Sequence, residues 1–180
     1  MSQKFMGMDV VQTWEDFGIW EVFFNTYPVQ TMIELGTGHG GLALFFAMQC
    51  RQRGILYHSY DNVCSFDCTT GLPALLDMGN AFHHVNIFGS EPYEMPSILN
   101  LIHTAPRPVA MFFDDGDKPR EWRTFAPHLQ PGDFCAVHDW GTEFGAGDIG
   151  DVPVENILKD YCDARPVSPR NWYTMWFRKV

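Results

Sequence analysis

Residues 31–50 read TMIELGTGHGGLALFFAMQC: a short apolar run, a turn carrying four glycines, and an apolar pattern at helical spacing. TMIEL (31–35) has the length of a buried strand, and the segment from about Gly40 to Arg51 reads as the helix that follows it. Gly36, Gly38 and Gly40 let the backbone turn sharply and approach a ligand without interference from a Cβ atom. Strand, glycine turn and helix open a βαβ unit. Two ligand patterns overlap in the turn: Gly36-x-Gly38-x-x-Gly41, which suits a dinucleotide, and Glu34-x-Gly36-x-Gly38-x-Gly40, which places an acid two residues before the first glycine. A carboxylate there repels a pyrophosphate but suits a ligand carrying ammonium or sulfonium charge.

Outward from this turn, strand-like and helix-like segments alternate. Gly54 ends the first unit, and ILYHSYD (55–61) reads as a second strand. AFHHVNIF (81–88), PVAMFFDD (108–115) and FCAVHD (134–139) are further strands, and NWYTMWFRKV (171–180) is a long terminal one. Helices are expected over 9–26 (DVVQTWEDFGIWEVFFNT), 95–103, 118–129 and 153–161, with the turn QPGD at 130–133. The alternation predicts a single α/β domain over 1–180, a doubly wound Rossmann-like sheet with right-handed crossovers, preceded by a leading helical segment at 1–28. Ligands of such sheets bind at the carboxyl ends of the strands, where Glu34, Asp61, Asp114 with Asp115, and His138 with Asp139 all fall.

Composition narrows the partners. A chain of 180 residues with 46% apolar content can bury a core. A formal charge of −10 disfavours nucleic acid and anionic membrane surfaces. No apolar stretch has the length of a membrane span, and the first residues lack the apolar core of a secretory signal. Cysteines 50, 64, 68, 135 and 162 form no CxxC pair and no zinc-ligand spacing, so they read as reduced thiols of a cytoplasmic chain.

The stretch FFDDGDKPREWRTFAPHLQPGDFCAVHDW (112–140) resembles the strand, helix, turn and strand that small-molecule O-methyltransferases write as an IDGDHSYE-like opening and a PLLKPGG-like turn, closing on an HD pair. IELGTGHGGLALFFA is similar to the opening loop of the cephalosporin hydroxylase and rhamnosyl O-methyltransferase group, a branch of the class I S-adenosylmethionine-dependent methyltransferases. The resemblance spans roughly residues 29–140. It implies a seven-stranded, mostly parallel sheet with an antiparallel last strand, and a methyl transfer to a small hydroxylated molecule such as a sugar or secondary metabolite. A nicotinamide dehydrogenase and a cofactor-binding module without chemistry are the alternatives.

Carried onto this chain, the resemblance implies S-adenosylmethionine contacts at Glu34, Gly36, Thr37, Gly38, Gly40, Asp61, Ser90 and Asp114, the last also tuning Asp115. It implies a divalent ion, magnesium, held by Asp115, His138 and Asp139, where the family often has glutamate in place of His138. The family pattern has a histidine base where this chain has Lys118; a lysine serves as base only if desolvation or a nearby cation lowers its pKa, and otherwise orients an acidic substrate or is a solvated helix-start residue. Asp115 and Lys118 are thus the expected catalytic pair. Trp140 and the loop GTEFGAGDIG (141–150) are a candidate lid, and His83 and His84 read as structural.

Overall fold

A computed structural model describes residues 3–62, 82–89, 94–163 and 174–180. The chain begins with a small antiparallel hairpin, β1 (Gln3–Phe5) and β2 (Met8–Val10), rather than with the expected helix. Its two-residue turn is Met6-Gly7, both at positive φ (49° and 90°), a geometry whose twist matches that of paired strands. Helix α1 starts only at Trp14 and runs to Thr26, because Thr13 and Asp16 form a reciprocal capping box that fixes its first turn.

The βαβ reading of the central stretch holds. Strand β3 is Thr31–Leu35, helix α2 is Gly41–Arg53, closed by Gly54 in the left-handed region, and β4 is Leu56–Asp61. There follow β5 (Phe82–His84), α3 (Glu94–Thr104), β6 (Val109–Phe113), α4 (Lys118–Phe125) with a 3-10 turn at 126–128, and β7 (Phe134–Val137). The expected helix at 153–161 is instead strand β8 (Val154–Ile157) and a short helix α5 (Lys159–Asp163), and β9 (Met175–Lys179) ends the sheet. Tertiary pairing overrides local pattern here: β8 lies against β9, and its inward positions are only half-buried, as at an edge.

The seven strands lie in the order β5-β4-β3-β6-β7-β9-β8, parallel except for β9, which runs antiparallel to both neighbours. Alternation of side chains sorts the core into two layers. Ala110, Phe112, Phe134 and Ala136 face α1 and α2, whereas Met111, Phe113, Cys135 and Val137 face α3 and α4. Trp20 of α1 is the hub of the first layer, edge-on to Phe46, Phe112 and Trp176 at centroid distances of 4.7, 5.2 and 5.5 Å. Trp122 of α4 anchors the second, and Cys50 and Cys135 are free and buried, as expected of core thiols. The sheet reverses direction of winding between β3 and β6. That is where a crevice opens at the carboxyl ends of the strands.

Candidate active site

The glycine turn lies at this crevice. Gly36 has φ +97°, and a Cβ built on it would lie 2.3 Å from the Asp114 carbonyl oxygen, so glycine is what lets the ends of β3 and β6 meet. Gly38 N–H donates to Asp61 Oδ2 at 2.6 Å, which ties the turn to the end of β4. Gly40, at φ +82°, precedes α2 without a side-chain cap, leaving the first N–H groups of the helix at the turn. The hairpin β1–β2 rests on the same place: a Cβ on Gly41 would meet Val10 Cγ2 at 2.4 Å and the Asp9 carbonyl oxygen at 2.6 Å.

Together these elements enclose a cleft of about 420 Å³, within the usual range of small-molecule sites. One end is walled by Thr37, Gly38 and Asp61, the other by Asp114, Asp115, His138 and Asp139, and Asp9, Val11 and Gln12 close the side. The sequence reading missed the hairpin wall, although the Met6-Gly7 turn between two short segments was a signal for it. Ser90 lies outside the described residues.

Glu34 is not part of the wall. It is fully buried beneath the turn, its Oε2 accepting hydrogen bonds from the Tyr57 hydroxyl and from Ser59 Oγ, the latter at 2.7 Å. Ser59 Oγ lies 2.6 Å from Thr37 Oγ1, so the acid supports the turn through two hydroxyls. Where the sequence suggests a direct ligand contact, the structure places residue 34 next to the end of its strand with its side chain on the face of the first core layer, beneath the turn. Burial, against the hydrogen bonds from Ser59 and Tyr57, pushes its pKa up to about 8.

The far end of the cleft holds an acidic cluster. Register places residues 114 and 138 side by side, one step past the paired Phe113 and Val137. Alternation then turns Asp114 and His138 to the same face, and His138 Nδ1 lies 3.3 Å from Asp114 Oδ1 and 3.2 Å from Asp139 Oδ1. Asp139 would point to the opposite face, but its left-handed backbone (φ +57°) brings it back. Among the described residues, Asp114, His138 and Asp139 are the group whose donor atoms lie within 4.8 Å of one another. Asp115, expected as a ligand, stands outside it, one residue out of phase with the face that carries the cluster.

Lys118, almost wholly buried, enters this cluster from behind. Its Nζ lies 2.8 Å from Asp139 Oδ2, 2.8 Å from Glu143 Oε2 and 3.3 Å from Asp114 Oδ1. Burial alone would lower its pKa, but the three carboxylates outweigh burial and hold it above the ordinary lysine range. Of the two readings the sequence leaves open, base or charged side chain, this surrounding favours the ammonium. The same balance holds His138 at about 10, where burial lowers and Asp114 and Asp139 raise. Asp139, raised by burial, is brought down to about 2 by His138 and Lys118. Asp115 moves the other way, to about 7, through burial and the nearby Asp61 and Asp114 charges. Glu121, fully buried, accepts from the backbone N–H groups of Asp115 (3.3 Å) and Asp117 (3.1 Å) and so fixes the turn that presents Asp115; its pKa rises to about 8 by burial. Nothing in the local pattern marks this role, since Glu121 reads there as one charge on a polar helix.

No protein-family model and no curated protein matches the chain, but solved structures do. A structure of cmcI described as "Mg-SAM" is 14% identical over 99% of this chain and 76% of its own, with a TM-score of 0.69. The O-methyltransferase TomG from Streptomyces achromogenes, involved in tomaymycin synthesis and in complex with SAM, is 16% identical over 96% of this chain and 82% of its own, at 0.57. A SAM-dependent methyltransferase from Geobacter sulfurreducens in complex with S-adenosyl-L-homocysteine is 13% identical over 93% and 92%, at 0.52. The chain has the class I S-adenosylmethionine-dependent methyltransferase fold.

Within that fold the expected magnesium meets a poor donor set. Magnesium wants oxygen ligands in near-octahedral array, yet the cluster offers one imidazole nitrogen and carboxylates already engaged by Lys118 and His138. The second oxygen of Asp114 accepts from Gln12 Nε2 at 2.8 Å. With Lys118 already against both aspartates and a histidine as the third donor, the residues present suit magnesium poorly. No helix among the described residues is long and apolar enough to cross a membrane. The loop expected as a lid begins as a fixed wall: Thr142, Glu143 and Phe144 all donate backbone N–H groups to the Asp139 carbonyl, and Phe144 is buried against Trp122.

Proposed function

We propose that the protein is an enzyme that binds S-adenosylmethionine across the glycine turn and transfers its methyl group to a hydroxyl oxygen of a small molecule. The observation that carries this reading is one continuous cleft running from the Gly38–Asp61 contact to the acidic cluster. Asp61 is placed to accept hydrogen bonds from ribose hydroxyls, and the orphan N–H groups of α2 face the same end. The SAM-bound and S-adenosyl-L-homocysteine-bound structures of the same fold support that choice of cofactor.

The transfer is an in-line displacement: the acceptor oxygen forms a bond to the methyl carbon as the carbon–sulfur bond breaks, and the sulfonium becomes a neutral thioether. The hydroxyl proton must leave. Lys118 and His138 already carry protons, and Asp139 is held too acidic to take another. Asp115 lines the cleft with a pKa near neutrality, the range suited to a general base, and we assign it that role. The acidic surface favours a neutral, hydroxylated acceptor over a polyanion.

Thermal unfolding with S-adenosylhomocysteine or NADH tests the cofactor. A ligand at a hundred times its Kd stabilises by about 2.7 kcal/mol, or roughly 5–11 °C for a chain of this size. A shift with NADH and none with S-adenosylhomocysteine overturns the reading in favour of a dehydrogenase.

A further inference from the structure

We propose that the Lys118 ammonium takes the place that a divalent cation would fill in this acidic cluster, so that the site is complete without a metal ion. An ion between Asp114 and Asp139 would have to neutralise two converging carboxylates and join the ends of β6 and β7. Lys118 Nζ does both, at 3.3 and 2.8 Å. It also does what an ion there would need a further ligand to do, holding Glu143 at 2.8 Å and with it the loop that walls the cleft.

The placement is built, not incidental. Asp117 caps α4, its Oδ1 accepting from Arg120 N–H, which sets Lys118 as the first residue of that helix. A cation at a helix N-terminus is electrostatically disfavoured, and a lysine left in solvent would avoid it. Here the side chain is buried and turned inward onto three carboxylates. From the cleft side His138 bridges Asp114 and Asp139, and Gln12 takes the remaining Asp114 oxygen. Lys118, Asp114, His138, Asp139, Glu143 and Gln12, six side chains, thus close the cluster on itself, and Lys118 acts through Asp114 and Asp139 as a positioning residue. The inference rests on the methyl-transfer reading only for its consequence, that the transfer needs no added ion.

Manganese is the probe, since its binding is read directly from the loss of the free-ion paramagnetic resonance signal, with no acceptor required. The expected result for the full wild-type chain is no binding up to 1 mM ion, about the weakest binding such a titration reads. Lys118→Met leaves the carboxylates without their cation and should bind manganese at least tenfold more tightly, whereas Lys118→Arg keeps the charge and should stay silent. Stoichiometric binding to the wild type that is lost in Asp139→Asn overturns the proposal, and that measurement stands even if Lys118→Met does not fold. A folded Lys118→Met that also ignores manganese overturns it as well, because the cluster is then no cation position. S-adenosylhomocysteine added to each sample separates the two readings: its failure to shift the wild-type melting temperature counts against methyl transfer and leaves the manganese result standing.

Discussion

Gly36→Ala tests the close approach on which the crevice depends. The new Cβ would lie 2.3 Å from the Asp114 carbonyl oxygen, 2.5 Å from its carbon and 2.9 Å from the Asp115 nitrogen. An ordinary contact needs at least 3.4 Å, so the end of β6 must retreat by about 1 Å. Neither side yields freely: Gly36 N–H donates to the Tyr60 carbonyl at 2.8 Å, and Asp114 N–H to the Leu35 carbonyl at 2.9 Å. The left-handed φ costs roughly 1–3 kcal/mol and forcing an extra methyl group into filled space another ~1–3. A total of about 2–6 kcal/mol lowers the melting temperature by roughly 5–20 °C. Gly54→Ala is the control, with φ +69° and nothing within 4 Å of the added Cβ, so it carries the backbone cost alone. Calorimetry of both variants, with and without S-adenosylhomocysteine, gives the answer. Gly36→Ala should lose about twice as much stability as Gly54→Ala and most of the ligand shift, since Asp114 and Asp115 move with β6. Equal losses in the two variants, with the ligand shift intact in both, would refute the close-approach argument.

Three further outcomes follow from the same geometry. Glu34 and Glu121 have folded pKa values raised from 4.5 to about 8, so the folded state binds protons more tightly than the unfolded chain. Their contribution is fully present below about pH 4.5 and is lost as pH rises towards 8; denaturation should show stability falling by a few kcal/mol over that window, and Glu121→Gln should flatten the fall. Asp61→Ala removes the acceptor for Gly38 N–H and should weaken S-adenosylhomocysteine at least tenfold by calorimetry, with a loss of melting temperature under about 5 °C. Trp20→Ala opens the first core layer beneath Phe46, Phe112 and Trp176 and should cost about 3–5 kcal/mol in chemical denaturation, whereas Trp20→Phe, which keeps an aromatic ring there and gives up an indole N–H that has no partner among the described residues, should cost less than half of that.

What the sequence determined by itself is the part written in short-range pattern. Strand lengths, the glycine turn, the stop at Gly54 and the acids at strand ends are local, and the α/β class follows from their alternation. The N-terminal hairpin was within reach, since Met6-Gly7 is a local turn signal, although the apolar residues of 9–26 read more simply as one helix. Strand β8 was not within reach. Val154–Ile157 gains its state from a partner that lies some twenty residues later in the chain, at Trp176–Lys179. The site divides in the same way. That an acid precedes the glycines is sequence; that it lies under them, bonded to Tyr57 and Ser59, depends on the register of β3 with β4, which sets Glu34 beside Ser59 on the same face as Tyr57. That two aspartates follow β6 is sequence; that Asp114 joins His138 and Asp139 while Asp115 lines the cleft beside their cluster depends on the register of β6 with β7 and on one left-handed residue at 139. Lys118 shows the limit most clearly. In the sequence it is a charge at the start of a polar helix, and its protonation is undetermined there, because burial and neighbouring charge pull its pKa in opposite directions. Only the tertiary structure, by setting three carboxylates within 3.3 Å of one buried nitrogen, decides which wins.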